Sequence, residues 1–207
     1  MKNVITTIII VFGAFTATFA QQQKGNVEFG INTGFSVSSL SYGLEDFSTF
    51  RKSIHFGVSS NYYFSDRWSI LGKLIYDPKG SNGLFFINQD FSNSFSDPRL
   101  NYLTVPITAN WHFGKKRNWY LNAGPYAGFL MSAKERGSDN DIKDAFKSTD
   151  FGVSLGIGVK LPLSEAVKAM IEYDLQFGAI NAFKNNSGIS AHNERASLDL
   201  GLCFMLK

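Results

Sequence analysis

The sequence predicts an all-β fold: an eight-stranded antiparallel up-and-down transmembrane β-barrel with short periplasmic turns and long outer loops. Three observations lead there. Eight segments alternate apolar and polar residues with period two. The connections between them run long, short, long, short, long, short, long, and no Asp, Glu, Lys or Arg falls on the apolar parity of any segment. Composition agrees: 20 Phe and 19 Gly against 5 Pro suit half-buried strands, and a net charge of +3 leaves no basic excess for nucleic acid.

The chain opens with a leader rather than with structure. Lys2 precedes an apolar stretch from Val4 to Phe19, and Thr18-Phe19-Ala20 has the small residues of an A-x-A-like cleavage site. Cleavage after Ala20 is expected, so residues 1–20 form a signal peptide and 21–207 a single barrel domain. Cys203, the only cysteine, excludes an intramolecular disulfide. The first strand, 26–38, sets Val27, Phe29, Ile31, Phe35 and Val37 against Glu28, Gly30, Asn32, Gly34 and Ser36. The second, 53–64, sets Ile54, Phe56, Val58 and Tyr62 against His55, Gly57 and Asn61. Strands three to five are read at 68–76, 100–113 and 119–130, with Lys73 on the polar parity of the third. The last three alternate most regularly: Phe151 to Leu161, Val167 to Phe177 and Ala196 to Leu206. Lys168, Glu172, Asp174, Arg195 and Asp199 fall on their polar side. Each segment is about 9–13 residues, the length a tilted strand needs to cross a bilayer.

The side on which charge falls decides the solvent. A charge facing lipid at mid-depth costs roughly 2–4 kcal/mol, so the clean parity is the exterior and the charged parity the lumen. A soluble ligand-binding barrel needs the reverse. The short connections are read at 65–67, 114–118 and 162–166, and the long ones at 39–52, 77–99, 131–150 and 178–194. Outer-membrane barrels put short turns in the periplasm and long loops outside. Trp68, Trp111 and Trp119 all lie near short turns, which predicts a periplasmic aromatic girdle; Tyr76, Phe129, Phe151 and Phe177 would face it from the outer ends. Pro106 and Pro125 fit badly, because each removes a hydrogen bond from an interior strand.

Several short stretches resemble the PorT-like outer-membrane β-barrel family of the Bacteroidota. They are Leu74-Ile75-Tyr76-Asp77-Pro78-Lys79-Gly80, Tyr102-Leu103-Thr104-Val105-Pro106, Gly124-Pro125-Tyr126-Ala127-Gly128 and Asp150-Phe151-Gly152, with Gly156, Gly158, Tyr173, Gly178 and Asn181. The resemblance implies an outer-membrane location. One branch of that family takes part in secretion and gliding machinery, which makes an accessory role in protein secretion one reading of function.

For chemistry, the residues predict a filled lumen rather than a reaction. Eight strands enclose a space that side chains can fill, and Glu28, Lys73, Glu172, Asp174, Arg195 and Asp199 are expected to form a paired polar network there, with Asn32, Asn61, Asn110 and Asn122 as amide partners. The sequence carries no catalytic, cofactor or metal motif. The enzyme alternative is lipid A modification, for which His55 and His192, with Ser190, are the candidates; His112 lies at the other end. Asp139, Asn140, Asp141 and Asp144 form an acidic run without the spacing of a calcium loop. Phe85, Phe86, Phe91 and Phe95 make the second long loop unusually apolar: it either packs over the barrel rim or docks a partner. The expectation is a monomeric, non-porin, non-enzymatic barrel with no cofactor. Its partners are outer-membrane lipid and lipopolysaccharide, with a protein partner at the outer loops and no nucleic acid.

Overall fold

The computed structural model describes residues 24–41, 49–87, 93–184 and 190–206. The expected leader and Phe91 lie outside these residues, as do the side chains of Phe85 and Phe86. The strands are β1 (Val27–Ser41), β2 (Thr49–Tyr63), β3 (Trp68–Asn82), β4 (Leu84–Ile87), β5 (Asn93–Ser96), β6 (Pro98–Phe113), β7 (Trp119–Glu135), β8 (Thr149–Pro162), β9 (Val167–Gly178) and β10 (His192–Leu206). Eight of them close into one antiparallel barrel in the order β1-β10-β9-β8-β7-β6-β3-β2, while β4 and β5 pair as a separate hairpin. Closure runs from Val27 opposite Leu206 to Ser41 opposite His192, so no edge is left for lipid to satisfy. Among the described residues no helix is long and apolar enough to cross a membrane; the crossing elements are strands.

The exterior is the apolar parity read from the sequence. Phe29, Ile31, Phe56, Ile70, Leu155, Tyr173 and Leu200 are all exposed, and the lumen side of the same strands buries Glu28, Asn32, Lys73, Ser154, Glu172 and Asp199. Small residues make room for large ones inside. A Cβ on Gly34 would come within 2.5 Å of the His55 ring, and one on Gly158 within 2.4 Å of Tyr120.

The strands are longer at the outer end than the sequence reading placed them. β3 continues from Tyr76 to Asn82, β7 from Leu130 to Glu135, β8 starts at Thr149 and β10 at His192, which moves Asp77, Lys79 and Asp150 from loops into the barrel wall. There the facing of β7 reverses, while β6 keeps its even-numbered residues inward throughout. The register shifts between Asn101 and Tyr102, leaving Met131 as an extra residue in β7. Below this β-bulge Leu103 and Phe129 point outward; above it Leu100 and Ala133 point inward while Arg99, Asn101, Ser132 and Lys134 line the exterior. The inserted residue flips every side chain beyond it in β7, whereas in β6 the apolar residues themselves pass from odd to even positions. On the exterior, Asn101 donates to Ser132 Oγ at 2.9 Å and Arg99 to Asn82 Oδ1 at 2.6 Å.

The prolines are accommodated by gaps in pairing. The β3–β6 ladder is interrupted between Gly72/Ile107 and Ile75/Thr104, where Pro106 lies. The β6–β7 ladder is interrupted between Pro106/Tyr126 and Ala109/Ala123, where Pro125 lies. The prolines therefore share one opened patch of adjacent strands. Pro78 sits beside a third irregularity, where β2 shifts register between Phe50 and Phe56. Side chains take over there: Ser53 donates to the Pro78 carbonyl at 2.8 Å, Ser38 to that of Gly80 at 3.1 Å, and Arg51 to that of Lys79.

Candidate functional site

Among the described residues the lumen holds five buried cations, Lys73, Lys79, Lys160, Lys168 and Arg195, and six buried carboxylates, Glu28, Asp77, Asp150, Glu172, Asp174 and Asp199. They stack in three layers. Nearest the periplasm, Glu28 accepts from Lys160 and from the Tyr63 hydroxyl at 3.3 Å, with Lys168 at 3.5 Å. The Lys160 ammonium also donates to the Tyr63 hydroxyl at 3.2 Å and lies 5.3 Å from the centre of the Tyr120 ring. In the middle, Glu172 accepts from Lys73 and from the Tyr120 hydroxyl at 2.5 Å. At that level Asp199 accepts from the Asn32 amide at 3.2 Å and lies 3.1 Å from His55 Nε2.

The outer layer is the densest. Arg195 joins β10 to β3 and β9 by donating to Asp77 at 3.1 Å and to Asp174. Thr104 donates to Asp77 and Ser154 to Asp174, each at 3.0 Å. Lys79 donates to Asp150 at 3.3 Å, stands 3.6 Å from Asp77 and lies 4.6 Å from the centre of the Tyr126 ring. Tyr126 donates to Asp150 at 3.0 Å, and the Asn193 amide reaches the Tyr102 hydroxyl at 3.3 Å. A buried charge persists where it is paired and hydrogen-bonded.

All six charged residues singled out from sequence face this network, but the reading left Asp77, Lys79, Asp150, Lys160 and Lys168 out of it. Alternation places Lys160 and Lys168 on the lumen parity; the other three fell beyond the expected strand ends. The amides divide. Asn32 bonds Asp199, whereas Asn110 and Asn122 face each other across β6–β7 with no side-chain hydrogen bond to the protein.

Above the charges sits an apolar cap. Leu40, Leu84, Leu100, Tyr102, Leu130, Ala133, Phe146, Ala182 and Ala191 are buried together, with Ile142 and Phe183 against them. The third and fourth outer loops meet over it. Phe146 and Phe183 bridge with ring centres 5.2 Å apart, Lys147 N–H donates to the Ala182 carbonyl at 2.8 Å and Lys184 N–H to that of Ala145 at 3.0 Å. Asn181 Oδ1 accepts the N–H groups of Phe183 and Ala191 at 3.1 and 3.0 Å, holding the fourth loop inward. In the second loop Leu84 is buried in the cap, whereas Phe95, opposite Phe85 in the β4–β5 hairpin, is 72% exposed.

The histidines do not assemble a catalytic constellation among the described residues. Ser190 Oγ lies 3.2 Å from His192 Nε2, but His192 Nδ1 has no partner to orient the ring. His55 has Asp199 beside it, but both are sealed inside the barrel. His112 Nε2 lies 2.8 Å from Ser69 Oγ, buried near the periplasmic end. The acidic run is used locally: Asp139 accepts from Lys134 at 2.9 Å, a hydrogen bond that lowers the pKa of its carboxyl, and Asp141 accepts the Lys143 N–H. Trp68, Trp111 and Trp119 point outward near the short turns, but they cluster on three neighbouring strands and do not ring the barrel: Trp68 is opposite Trp111, and Phe113 is opposite Trp119.

The comparisons agree with this architecture. The chain is similar in fold to the outer membrane protein OprG from Pseudomonas aeruginosa, at 13% identity with a TM-score of 0.53, over 90% of this chain and 99% of that one. It is similar also to Neisserial surface protein A, at 12% identity with a TM-score of 0.54, over 86% of this chain and 96% of that one. No curated protein matches it in sequence. Residues 19–184 match the outer membrane protein beta-barrel domain family. A match over most of the chain, on a closed barrel with an apolar exterior and a charged interior, makes this protein a member of the outer membrane protein beta-barrel domain family, located in the outer membrane.

Proposed function

We propose that this protein is a non-porin, non-enzymatic barrel that acts through its outer surface, in a structural or interaction role, as a monomer among lipopolysaccharide and phospholipid. One observation carries the reading: the lumen is filled by paired charges and covered by an apolar cap, which leaves solute no path along the axis. The ion-paired residues Glu28, Lys73, Glu172, Asp174, Arg195 and Asp199 serve the barrel wall. Trp68, Trp111 and Trp119 serve the interface with lipid. The second outer loop, with Phe85, Phe86, Phe91 and Phe95, is the docking element. In support, Phe95 is exposed while its hairpin is anchored through Leu84.

Planar-bilayer recording of the folded protein tests this. No stable porin-sized current is expected, and a large steady conductance would overturn the reading. For the docking loop, Phe95→Ser should leave the heat stability of the folded gel band unchanged and remove a partner crosslinked in intact outer membranes. A fall in stability with the crosslink retained would assign the loop to rim packing.

We place the chain in the PorT-like family on the motifs quoted above, and one feature of the lumen supports that placement. Asp77, Lys79, Tyr102, Tyr126 and Asp150, from four separate motifs, meet in the outer lumen layer. The four motifs then share one role as a plug, and a secretion accessory is the second reading of function. Recovery of secretion components in the same crosslinking would favour it. Lipid A chemistry is disfavoured because the exposed Ser190–His192 pair has no third group.

A further inference from the structure

We propose that the periplasmic end of β3, β6 and β7 carries a binding site for the headgroup of an anionic phospholipid, formed by Arg67, Lys115 and Lys116 beneath the tryptophan cluster. The proposal rests on the reading of that cluster as interfacial.

The aromatic surface is continuous. Trp68 is opposite Trp111 across β3–β6, the Trp111 and Phe113 rings stack at 5.2 Å, and Phe113 and Trp119 stack at 6.5 Å. Phe64, at the end of β2, is exposed beside it. Immediately below lie two turns, 64–67 and 114–118, rich in cations. Arg67, Lys115 and Lys116 are exposed, and among the described residues none of them forms an ion pair. The opposite arc differs: the turn at 163–166 carries Glu165 and no cation, under an exterior of Leu161, Leu163 and Leu206.

The geometry of the turns is a second, independent observation. Arg117 has φ +54°, the single described non-glycine residue in the left-handed region. Such a conformation is held only where its surroundings impose it. Here the guanidinium reaches the neighbouring turn, 3.1 Å from an Asp66 carboxylate oxygen and 3.4 Å from the Asp66 carbonyl, and the Arg67 carbonyl accepts the His112 N–H at 2.7 Å. The two turns are thereby tied together. Asp66 is consumed by Arg117, so the three remaining cations present uncompensated charge on one side of the barrel.

A partner that meets both surfaces must be an amphiphile, with apolar chains against the indoles and a negative head at the level of the turns. A phospholipid of the periplasmic leaflet has that form. Tryptophan favours the interfacial depth, and basic side chains beside a membrane surface attract anionic lipid.

All three tryptophans of the chain lie in this cluster, so their fluorescence reports the lipid at this site. The test uses the folded barrel in phosphatidylcholine vesicles with a minority of phosphatidylglycerol, brominated on one lipid or the other. Brominated phosphatidylglycerol is expected to quench well beyond its mole fraction, by about fivefold in local enrichment for each engaged cation. The excess should vanish at about 1 M salt, where screening acts within ~3 Å. Replacing Arg67, Lys115 and Lys116 together with Gln should return quenching to the mole fraction while the heat-shifted folded band persists. Lys115→Arg with Lys116→Arg should keep the enrichment. Quenching in proportion to mole fraction in the unaltered protein, or enrichment retained in the triple Gln variant, would overturn the proposal. If neither brominated lipid quenches, the interfacial reading itself fails.

Discussion

The barrel contains two sections built on opposite rules. In the membrane section, Phe29, Leu155 and Tyr173 face out while Glu28, Lys73 and Glu172 face in; above the bulge at Met131, Leu100, Ala133 and Leu40 face in while Arg99, Asn101, Ser132 and Lys134 face out. The same strands β6 and β7 run through both. What changes is the solvent outside. Lipid makes an exposed apolar residue free and an exposed charge expensive; water reverses both. The outer section therefore folds like the end of a soluble barrel, with a small hydrophobic core, whereas the membrane section is held by its closed ladder and by ion pairs. In β7 the bulge makes the change; in β6 the sequence does, its apolar residues passing from the outward positions Leu103 and Val105 to the inward positions Leu100 and Tyr102.

The sharpest way to break this comparison is inside the membrane section. Arg195→Met leaves Asp77 and Asp174 buried without their guanidinium, which costs about 3–5 kcal/mol where a buried pair loses one partner. Urea titration of the folded gel band measures it. A loss below about 1 kcal/mol would mean that the lumen solvates charge nearly as well as bulk water does. Next in size is the exterior. Leu155→Arg, at mid-depth on β8, should cost roughly 2–4 kcal/mol, whereas Ser132→Arg, above the bulge, should change stability by less than about 0.5 kcal/mol. Equal costs would move the membrane boundary.

How far the sequence discloses the structure follows the same division. Lipid tolerates no exceptions, so alternation from Phe151 to Leu161 or from Ala196 to Leu206 can be read directly, and so can the lumen side of Glu172 and Asp199. The outer section hides itself. Asp77-Pro78-Lys79-Gly80 carries the punctuation of a turn, yet it is strand, with the Pro98 carbonyl so near Gly80 that a Cβ there would lie 2.1 Å from it. Reversed parity after Met131 in β7, and the exchange of apolar for polar residues on the outward positions of β6 from Asn101, remove the period-two signal there. The cap was illegible because its members come from four strands and two outer loops. Only the assembled fold brings Leu40, Phe146 and Ala182 together.

Leu100→Ala tests the outer section by itself. Deleting a buried leucine from a small core costs about 2–5 kcal/mol if that core is coupled to the whole barrel. The comparison predicts partial uncoupling instead. Protease should gain access to the loops at 136–148 and 179–184, while the folded band keeps its urea midpoint to within about 1 kcal/mol, since local opening can be far cheaper than global unfolding. A full-sized fall in the midpoint would make the cap part of one cooperative unit.

The smallest expected effect isolates the solvent most cleanly, because it concerns the same chemical pair. Arg117 stands 3.1 Å from Asp66, and Arg195 stands 3.1 Å from Asp77. The first pair is in a periplasmic turn with Asp66 57% exposed; the second is wholly buried. An exposed pair contributes about 0–1 kcal/mol. Arg117 also pays about 1–2 kcal/mol for its left-handed backbone; glycine relieves that but gives back about 0.4–1 kcal/mol through the greater freedom of the unfolded chain. In Arg117→Gly the two changes oppose each other, so stability should shift by less than about 1 kcal/mol in either direction. Urea midpoints of Arg117→Gly and Arg195→Met, measured side by side, then compare two Arg–Asp contacts of equal length. If the turn variant lost as much as the lumen variant, contact geometry rather than solvent exposure would set the strength of these pairs, and the distinction between the sections would fall.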